Sequence, residues 1–125
     1  MSYDLAVWEG NPPADDREAL SVHLALFDEY LEADIGELLP GNPLVKEFVT
    51  AMAERWPDSL GEDTPWSAGA PDEGSAAGPI AYLAISYSRA EEVAAYAESV
   101  AAELGLICFD INQGRLRTCP PASRR

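Results

Sequence analysis

Two apolar stretches joined by a helical segment constrain the fold more than any other part of this sequence. Residues 80–87 are apolar on both faces, which is typical of a strand covered by helices. Ser88 and Glu91 have the spacing of a capping box at a helix start, and Gly105 is suited to end that helix. Residues 106–111 form a second apolar stretch. This order predicts a βαβ unit with two parallel strands and a right-handed crossover.

Three further segments carry periodic patterns. Residues 3–8 alternate in the manner of a first strand. Asp15 and Asp16 suit the start of a helix, which the Pro-Gly-Asn-Pro break at 40–43 separates from a second helix ended by Pro57. The predicted apolar face of the first helix is Leu20, Leu24, Phe27 and Leu31. The predicted apolar face of the second is Val45, Phe48, Val49, Met52 and Trp56.

These elements predict a single α+β domain over residues 1–118, in the order β-α-α-β-α-β with a short final hairpin strand at 115–118. We expect a mixed sheet of three to four strands, with the first strand between or beside the two parallel strands, and about three helices, most of them on one face. Residues 57–78 form a long acidic loop, and residues 119–125 form a short basic tail.

The two cysteines pose a question of register. If the hairpin turn is the two-residue Gln113-Gly114, Cys108 lies opposite Cys119, with Cα atoms about 4.5–5.5 Å apart, a separation that a disulfide tolerates. A three-residue loop would shift the pairing and separate them. In a reducing cytoplasm we expect both thiols to be free.

The charge balance bears on partners. Twenty-two carboxylates against eight basic side chains give a net charge of −14, and residues 1–110 alone sum to −18. Such a field repels nucleic acid and anionic membranes and attracts basic proteins, although solubility or adaptation to high salt explains it equally well. The N-terminus lacks the pattern of a signal peptide and no apolar run is long enough to span a bilayer, so we expect a cytoplasmic protein.

The residues that usually carry catalysis are scarce. His23 is the only histidine, and its place beside the apolar face of the first helix favours a packed side chain over a general base. The sequence has no His/Cys cluster for zinc, no EF-hand spacing and no glycine-rich phosphate loop. A mechanism based on two carboxylates needs them to converge, which no pattern here indicates. We therefore predict no catalytic residue, metal or cofactor.

Acidic residues and one tryptophan are the candidates for binding a partner. One acidic cluster ends the first helix, where negative charge opposes the helix dipole, and another follows the second helix. The first cluster consists of Asp28, Glu29, Glu32, Asp34 and Glu37. The candidate residues are Glu32, Asp34, Glu37, Asp58, Glu62, Asp63, Trp66, Asp72 and Glu73. Trp66 is either an exposed anchor for a partner or a side chain that folds back and pins the loop to the core. The second alternative is the commoner fate of a lone loop tryptophan.

Three segments together carry a resemblance: residues 3–10, Thr64-Pro65-Trp66, and Tyr87-Ser88-Arg89-Ala90-Glu91-Glu92 leading to residues 106–110. They resemble a broad group of small acidic bacterial proteins, frequent in actinobacteria, to which no activity has been assigned. Where those proteins usually show Asp-Pro-Gln after the last strand, this chain reads Asp110-Ile111-Asn112-Gln113. In size and charge the chain is also similar to the immunity proteins that neutralise bacterial toxins, by analogy only.

The resulting functional hypothesis is a non-enzymatic module that binds a basic protein, such as an immunity protein facing a basic toxin. The first alternative is a homo-oligomeric accessory protein, for example a dimer that buries the apolar face of residues 45–56 between subunits. A carboxylate-based enzyme or a small-ligand binder is the least favoured alternative.

Overall fold

A computed structural model describes residues 3–10, 13–31, 41–57, 64–67, 71 and 76–118. Within these ranges the elements are β1 (Tyr3–Trp8), α1 (Asp16–Leu26) with a π-helical turn (Phe27–Leu31), α2 (Pro43–Arg55), β2 (Ala76–Ala77), β3 (Ile80–Ile85), a 3-10 turn (Tyr87–Arg89), α3 (Ala90–Leu104), β4 (Ile107–Asp110) and β5 (Arg115–Thr118). None of the helices in the described ranges has both the length and the apolar character that crossing a bilayer requires.

The strands form one sheet in the order β2-β3-β1-β4-β5. Every hydrogen-bonded pair of neighbouring strands is antiparallel. The α+β class and the single domain are confirmed, but the expected mixed sheet of three to four strands is instead an antiparallel sheet of five. β3 and β4 run in the same direction, as predicted, and β1 lies between them, which is one of its two expected places. Because β1 runs antiparallel to both of them and pairs with both, no parallel pair of neighbouring strands is formed among the five described strands. The last four residues of β1 are buried on both faces of the sheet, which accounts for its central place.

Helices cover both faces of the sheet. Leu5 and Val7 belong to the core that α2 and α3 form with one face. Ala6 and Trp8 point to the opposite face, where Ala19 of α1 belongs to a smaller core. Two of the three described helices therefore share one face, as expected.

The apolar face predicted for α2 is confirmed. It is buried within the chain itself, which contradicts the alternative of a dimer that buries this face between subunits. Val45, Phe48, Val49 and Met52 of α2, with Trp56 behind it, are all buried against the sheet and α3 within a single chain. A face already covered by the chain's own core is not available to a second subunit. That version of the dimer is wrong.

The apolar face predicted for α1 is wrong at Leu20 and Leu24, whereas Phe27 is partly buried and the side chain of Leu31 lies outside the described part of the chain. Leu20 and Leu24 are 42% and 57% exposed. The helix instead buries Ala19 and His23, with the residues at 22, 26 and 27 partly buried beside them. Two different sets of positions on α1 recur with the spacing of a buried helix face. The set that packs contains His23, and because histidine is usually counted as polar, the sequence pattern favoured the leucines instead. The predicted start is confirmed, because the Asp15 carboxylate accepts a hydrogen bond from the Glu18 amide (2.9 Å).

The start of α3 differs from the expected capping box, whereas its end is as predicted. The 3-10 turn precedes the helix, the N-cap position is Arg89, and no side chain caps it. Arg89 instead pairs with Glu92, with Nε and Oε1 2.7 Å apart. Gly105 ends the helix at φ 75°, a left-handed conformation that glycine adopts without steric cost.

The β4–β5 hairpin has a four-residue turn, longer than either of the two loops considered from the sequence. Asp110 pairs with Arg115, and after a shift at the Cys108/Phe109 step Cys108 lies opposite Thr118. The Asp110 carboxylate sets the longer turn by accepting a hydrogen bond from the Gln113 amide (2.9 Å). Cys108 is a free, buried thiol, as expected, and burial raises its pKa to about 12. Cys119 lies outside the described residues.

Candidate functional site

Most of the partner-binding residues predicted from the sequence lie outside the described residues. These are Glu32, Asp34, Glu37, Asp58, Glu62, Asp63, Asp72 and Glu73. Trp66 is the one member of that set whose position the structure gives.

Trp66 is a buried residue that fastens its segment to the core. It is 5% exposed, and its indole N–H donates a hydrogen bond to the Trp56 carbonyl (2.7 Å). The two indole rings meet edge to face with centroids 6.0 Å apart. Its backbone also forms a bridge with Ile85 of β3. The alternative in which Trp66 folds back is therefore confirmed, and the alternative of an exposed anchor is wrong.

A buried carboxylate, Asp110, has a structural role. It is fully buried and accepts a hydrogen bond from the Tyr3 hydroxyl, while an Arg117 guanidinium nitrogen lies 3.7 Å away. Arg117 also contacts Glu98 of α3 (3.2 Å). Burial and the bond to Asp110 raise the pKa of Tyr3 to about 12. The network joins β1, β4, β5 and α3, and Arg117 places a positive charge beside the buried Asp110 carboxylate.

An open cavity of about 410 Å³ lies between α1 and the sheet. We call it the His23 cavity, and its lining residues are His23, Leu24, Phe27, Asp28, Tyr82 and Ile111. Four of them follow one edge of α1 into the π-helical turn, Tyr82 comes from β3, and Ile111 follows β4. Short π-helical turns within α-helices are frequent at functional sites, because they shift the side chains that follow.

The inner wall of the His23 cavity is aromatic. The His23 ring is stacked with Trp8 (centroids 6.3 Å apart, planes 22° apart) and lies 5.8 Å from both Phe109 and Phe27. The Phe27 ring lies 5.6 Å from Tyr82, at 58° to it. His23 is 5% exposed, so the expectation that it packs beside the apolar residues of the first helix is confirmed.

Two buried polar atoms lack a hydrogen bond to any described residue, one on the His23 ring of this wall and one on the Trp8 ring stacked behind it. Neither His23 Nδ1 nor Trp8 Nε1 has a partner in the part of the chain that the structure describes. An unpaired buried polar atom costs about 1–3 kcal/mol, so such atoms call for an explanation. Burial lowers the pKa of His23, and the imidazole is held in its neutral form.

The polar group of Tyr82, unlike His23 Nδ1 and Trp8 Nε1, has a hydrogen-bond partner. The hydroxyl donates a hydrogen bond to the Asp4 carboxylate, and burial together with this bond raises its pKa to about 12. The hydroxyl is thus tied to β1, and the ring is left as part of the cavity wall.

A second cavity, of about 330 Å³, lies beside α2 and is lined by Lys46, Val49, Thr50, Ala53, Glu54, Pro71 and Ala76. Among the described lining residues, each of the two cavities has a single carboxylate, Glu54 in one and Asp28 in the other. The described ranges also contain no group of three or more His, Cys, Asp or Glu that could hold a metal ion. The described lining of each cavity thus lacks the paired carboxylates that a two-carboxylate mechanism uses.

Asp28 belongs to the acidic cluster that the sequence indicated at the end of the first helix, whereas Leu20 and Leu24 were expected to be buried and Tyr82 was not singled out. One signal for Tyr82 was available, since it is the only residue with a polar group in the aliphatic strand Ile80–Ile85. The outward turn of Leu20 and Leu24 had no sequence signal, because leucines at this spacing are as typical of a buried face.

No protein-family model, no curated protein and no solved structure matches this chain. The resemblance to small acidic bacterial proteins therefore stays a prediction.

Proposed function

We propose that this chain is a non-enzymatic module that binds a basic protein through the outer side of α1. We define the α1 surface as Leu20, Leu24 and Asp28. The observation that carries the proposal is the 57% exposure of Leu24, at the edge of the His23 cavity, on a chain of net charge −14.

The apolar part of the α1 surface is contiguous. Leu20 and Leu24 are four residues apart on one helix, so their side chains lie next to each other. Single exposed leucines are ordinary, whereas an apolar strip that leads into a cavity is typical of a site that a partner covers. Complete burial of one leucine side chain contributes about 1.5–3 kcal/mol.

The charge around the α1 surface selects the partner. Exposed carboxylates flank the strip at both ends of the helix: Asp15, Asp16 and Glu18 at its start, and Asp28 and Glu29 at its end. Such an arrangement accelerates encounter with a positively charged protein and penalises an acidic one. A basic bacterial toxin is the finer form of the proposal, because an acidic module bound over a basic active site would block it.

The test compares leucines on opposite sides of the molecule. Leu24→Ser and Leu20→Ser alter the α1 surface, and Leu44→Ser is the matched control, because Leu44 is also exposed (39%) but lies on α2. Each tagged protein is used to capture partners from a lysate at low salt and at about 0.5 M NaCl, where surface charges are largely screened.

We expect the wild type and Leu44→Ser to retain one basic protein, and the two α1 variants to retain about tenfold less, the equivalent of about 1.4 kcal/mol. High salt should weaken the capture further. Equal capture by all four proteins would exclude the α1 surface. A wild-type mass that doubles with concentration in light scattering, and that Leu24→Ser returns to the monomer value, would replace the basic partner by a second copy of the chain.

A further inference from the structure

We infer that the His23 cavity receives the guanidinium group of an arginine side chain from the basic partner. This inference rests on the proposed function, and it identifies the group on the partner that anchors the complex. The cavity volume of about 410 Å³ falls within the roughly 300–1,000 Å³ of ordinary ligand pockets.

The walls of the cavity offer two surfaces for a flat cation. Phe27 and Tyr82 line it with their ring centroids 5.6 Å apart and their planes at 58°, so they form an aromatic corner. A guanidinium stacks on aromatic faces, is less strongly hydrated than an ammonium, and carries its donors in one plane. An arginine is therefore a better fit to this corner than a lysine.

The electrostatics of the cavity also favour a cation. Asp28 is exposed on the lining and forms no ion pair with any described residue, and no Lys or Arg is among the described lining residues. A carboxylate and a guanidinium form hydrogen bonds about twice as strong as those between neutral groups. The carboxylate of Asp28 is the one formal charge that the described lining supplies.

The third contribution comes from His23. This residue is 95% buried, lines the cavity and has no hydrogen bond to Nδ1 within the described ranges. A neutral imidazole with its proton on Nε2 presents Nδ1 as an acceptor and adds no positive charge to repel the ligand. Nδ1 is closed off from the open cavity, so the His23 ring shifts when an N–H of the guanidinium supplies the partner that Nδ1 lacks.

The probe is N-acetyl-arginine amide, titrated into the 15N-labelled protein and followed by NMR. N-acetyl-citrulline amide has nearly the same shape without the charge, and N-acetyl-lysine amide has the charge without the planar fork. We expect saturable shifts of the Trp8 indole resonance and of the backbone amides of His23, Phe27 and Tyr82 with the arginine probe. The shifts should be weaker with lysine and absent with citrulline.

The variants are Asp28→Asn and Glu29→Gln, which remove the same charge at adjacent exposed positions, only the first of which lines the cavity. We expect Asp28→Asn to weaken binding of the arginine probe about tenfold, and Glu29→Gln to change it less than about twofold. Equal effects of the two variants, or equal shifts with arginine and citrulline, would overturn the inference.

The outcomes separate this inference from the proposed function. If Leu24→Ser abolishes capture of a basic partner but the arginine probe leaves the Trp8 and His23 signals unmoved, the cavity is not the anchor and the docking surface stands. If the probe binds with the predicted Asp28 dependence but no basic protein is captured, the guanidinium site stands and the proposed function fails.

Discussion

At the scale of single residues, His23 is a polar side chain held in an aromatic, apolar environment. A polar ring lies stacked with Trp8 and between Phe27 and Phe109, and its Nδ1 has no partner in the described part of the chain. Replacing such a group by an apolar one of similar size is often neutral or stabilising, because the desolvated polar atom is removed. The proposed guanidinium site gives a reason for the histidine to be there.

Stability should therefore depend on pH through His23. Burial lowers its folded-state pKa below the usual 6.5, so between these two values the unfolded chain binds a proton that the folded chain does not. The free energy of unfolding should fall as the pH drops through about 6.5 and level off below the folded-state pKa, and above about 6.5 His23 contributes no pH dependence.

The check is urea unfolding of the wild type and His23→Leu between about pH 7.5 and 5. Carboxylates are common to both proteins, so the difference between the two curves isolates the histidine. We expect the difference to move in favour of His23→Leu as the pH falls. A difference that stays constant over this range would contradict the burial of a neutral imidazole.

At the scale of elements, some helix ends are fixed by residues close in sequence, whereas other segments are held by contacts between residues far apart in the chain. Asp15 caps α1 and Gly105 ends α3, each within a few residues in sequence. The segment 64–67, by contrast, depends on Trp66 reaching the end of α2 and on backbone bonds to the neighbourhood of β3. Such a segment detaches as a unit once its anchor is lost.

Trp66→Phe should lower the free energy of unfolding more than Trp8→Phe. Both changes remove the same atoms from a buried site, but among the described residues Trp66 has an indole hydrogen bond, to the Trp56 carbonyl, and Trp8 has none. We expect the extra cost to be about 1–3 kcal/mol, because the carbonyl is left unpaired. Urea unfolding of the two variants measures the difference, and equal costs would show that the hydrogen bond contributes nothing.

At the scale of the whole molecule, the excess of negative charge opposes folding. Twenty-two carboxylates face eight basic groups, and only a few of the described ones, such as Glu92 and Glu98, have an arginine beside them. A large net charge keeps a protein in solution but destabilises its compact state by self-repulsion. The same field steers the basic partner that we propose.

Added salt should therefore stabilise the fold. Between about 0.01 and 0.5 M NaCl the screening length falls from roughly 30 Å to about 4 Å, and the unfolding temperature should rise by several degrees. Circular dichroism measures this transition. A variant with Glu29, Glu47 and Glu103 changed to Gln, three exposed carboxylates without an ion pair among the described residues, should show a smaller rise. An unchanged rise would show that the salt acts by some means other than screening.

Several features could be predicted from the sequence because they depend on short-range patterns. The apolar positions of α2 recur with the helical period, residues 3–8 alternate like a strand, and Gly105 supplies a left-handed residue where a helix must end. The class of the fold follows from the order of such elements, and the net charge is a property of the composition alone.

The candidate site was much less predictable, because it is built from residues far apart in the chain. The acidic candidates lie outside the described residues, and Trp66 is in the core. The His23 cavity joins side chains from α1, β3 and the residue after β4, and no local spacing links positions 28, 82 and 111.

The sequence alone therefore determined the main helical and extended segments, although β2 lies within the predicted loop at 57–78, and it determined that the protein is strongly acidic. The tertiary structure decided that β1 lies between β3 and β4, that α1 buries Ala19 and His23 rather than its leucines, and that Trp66 packs against Trp56. The physical reason is that periodicity shows that an element has a buried side but not what it packs against. That choice is made by the packing of all the elements together.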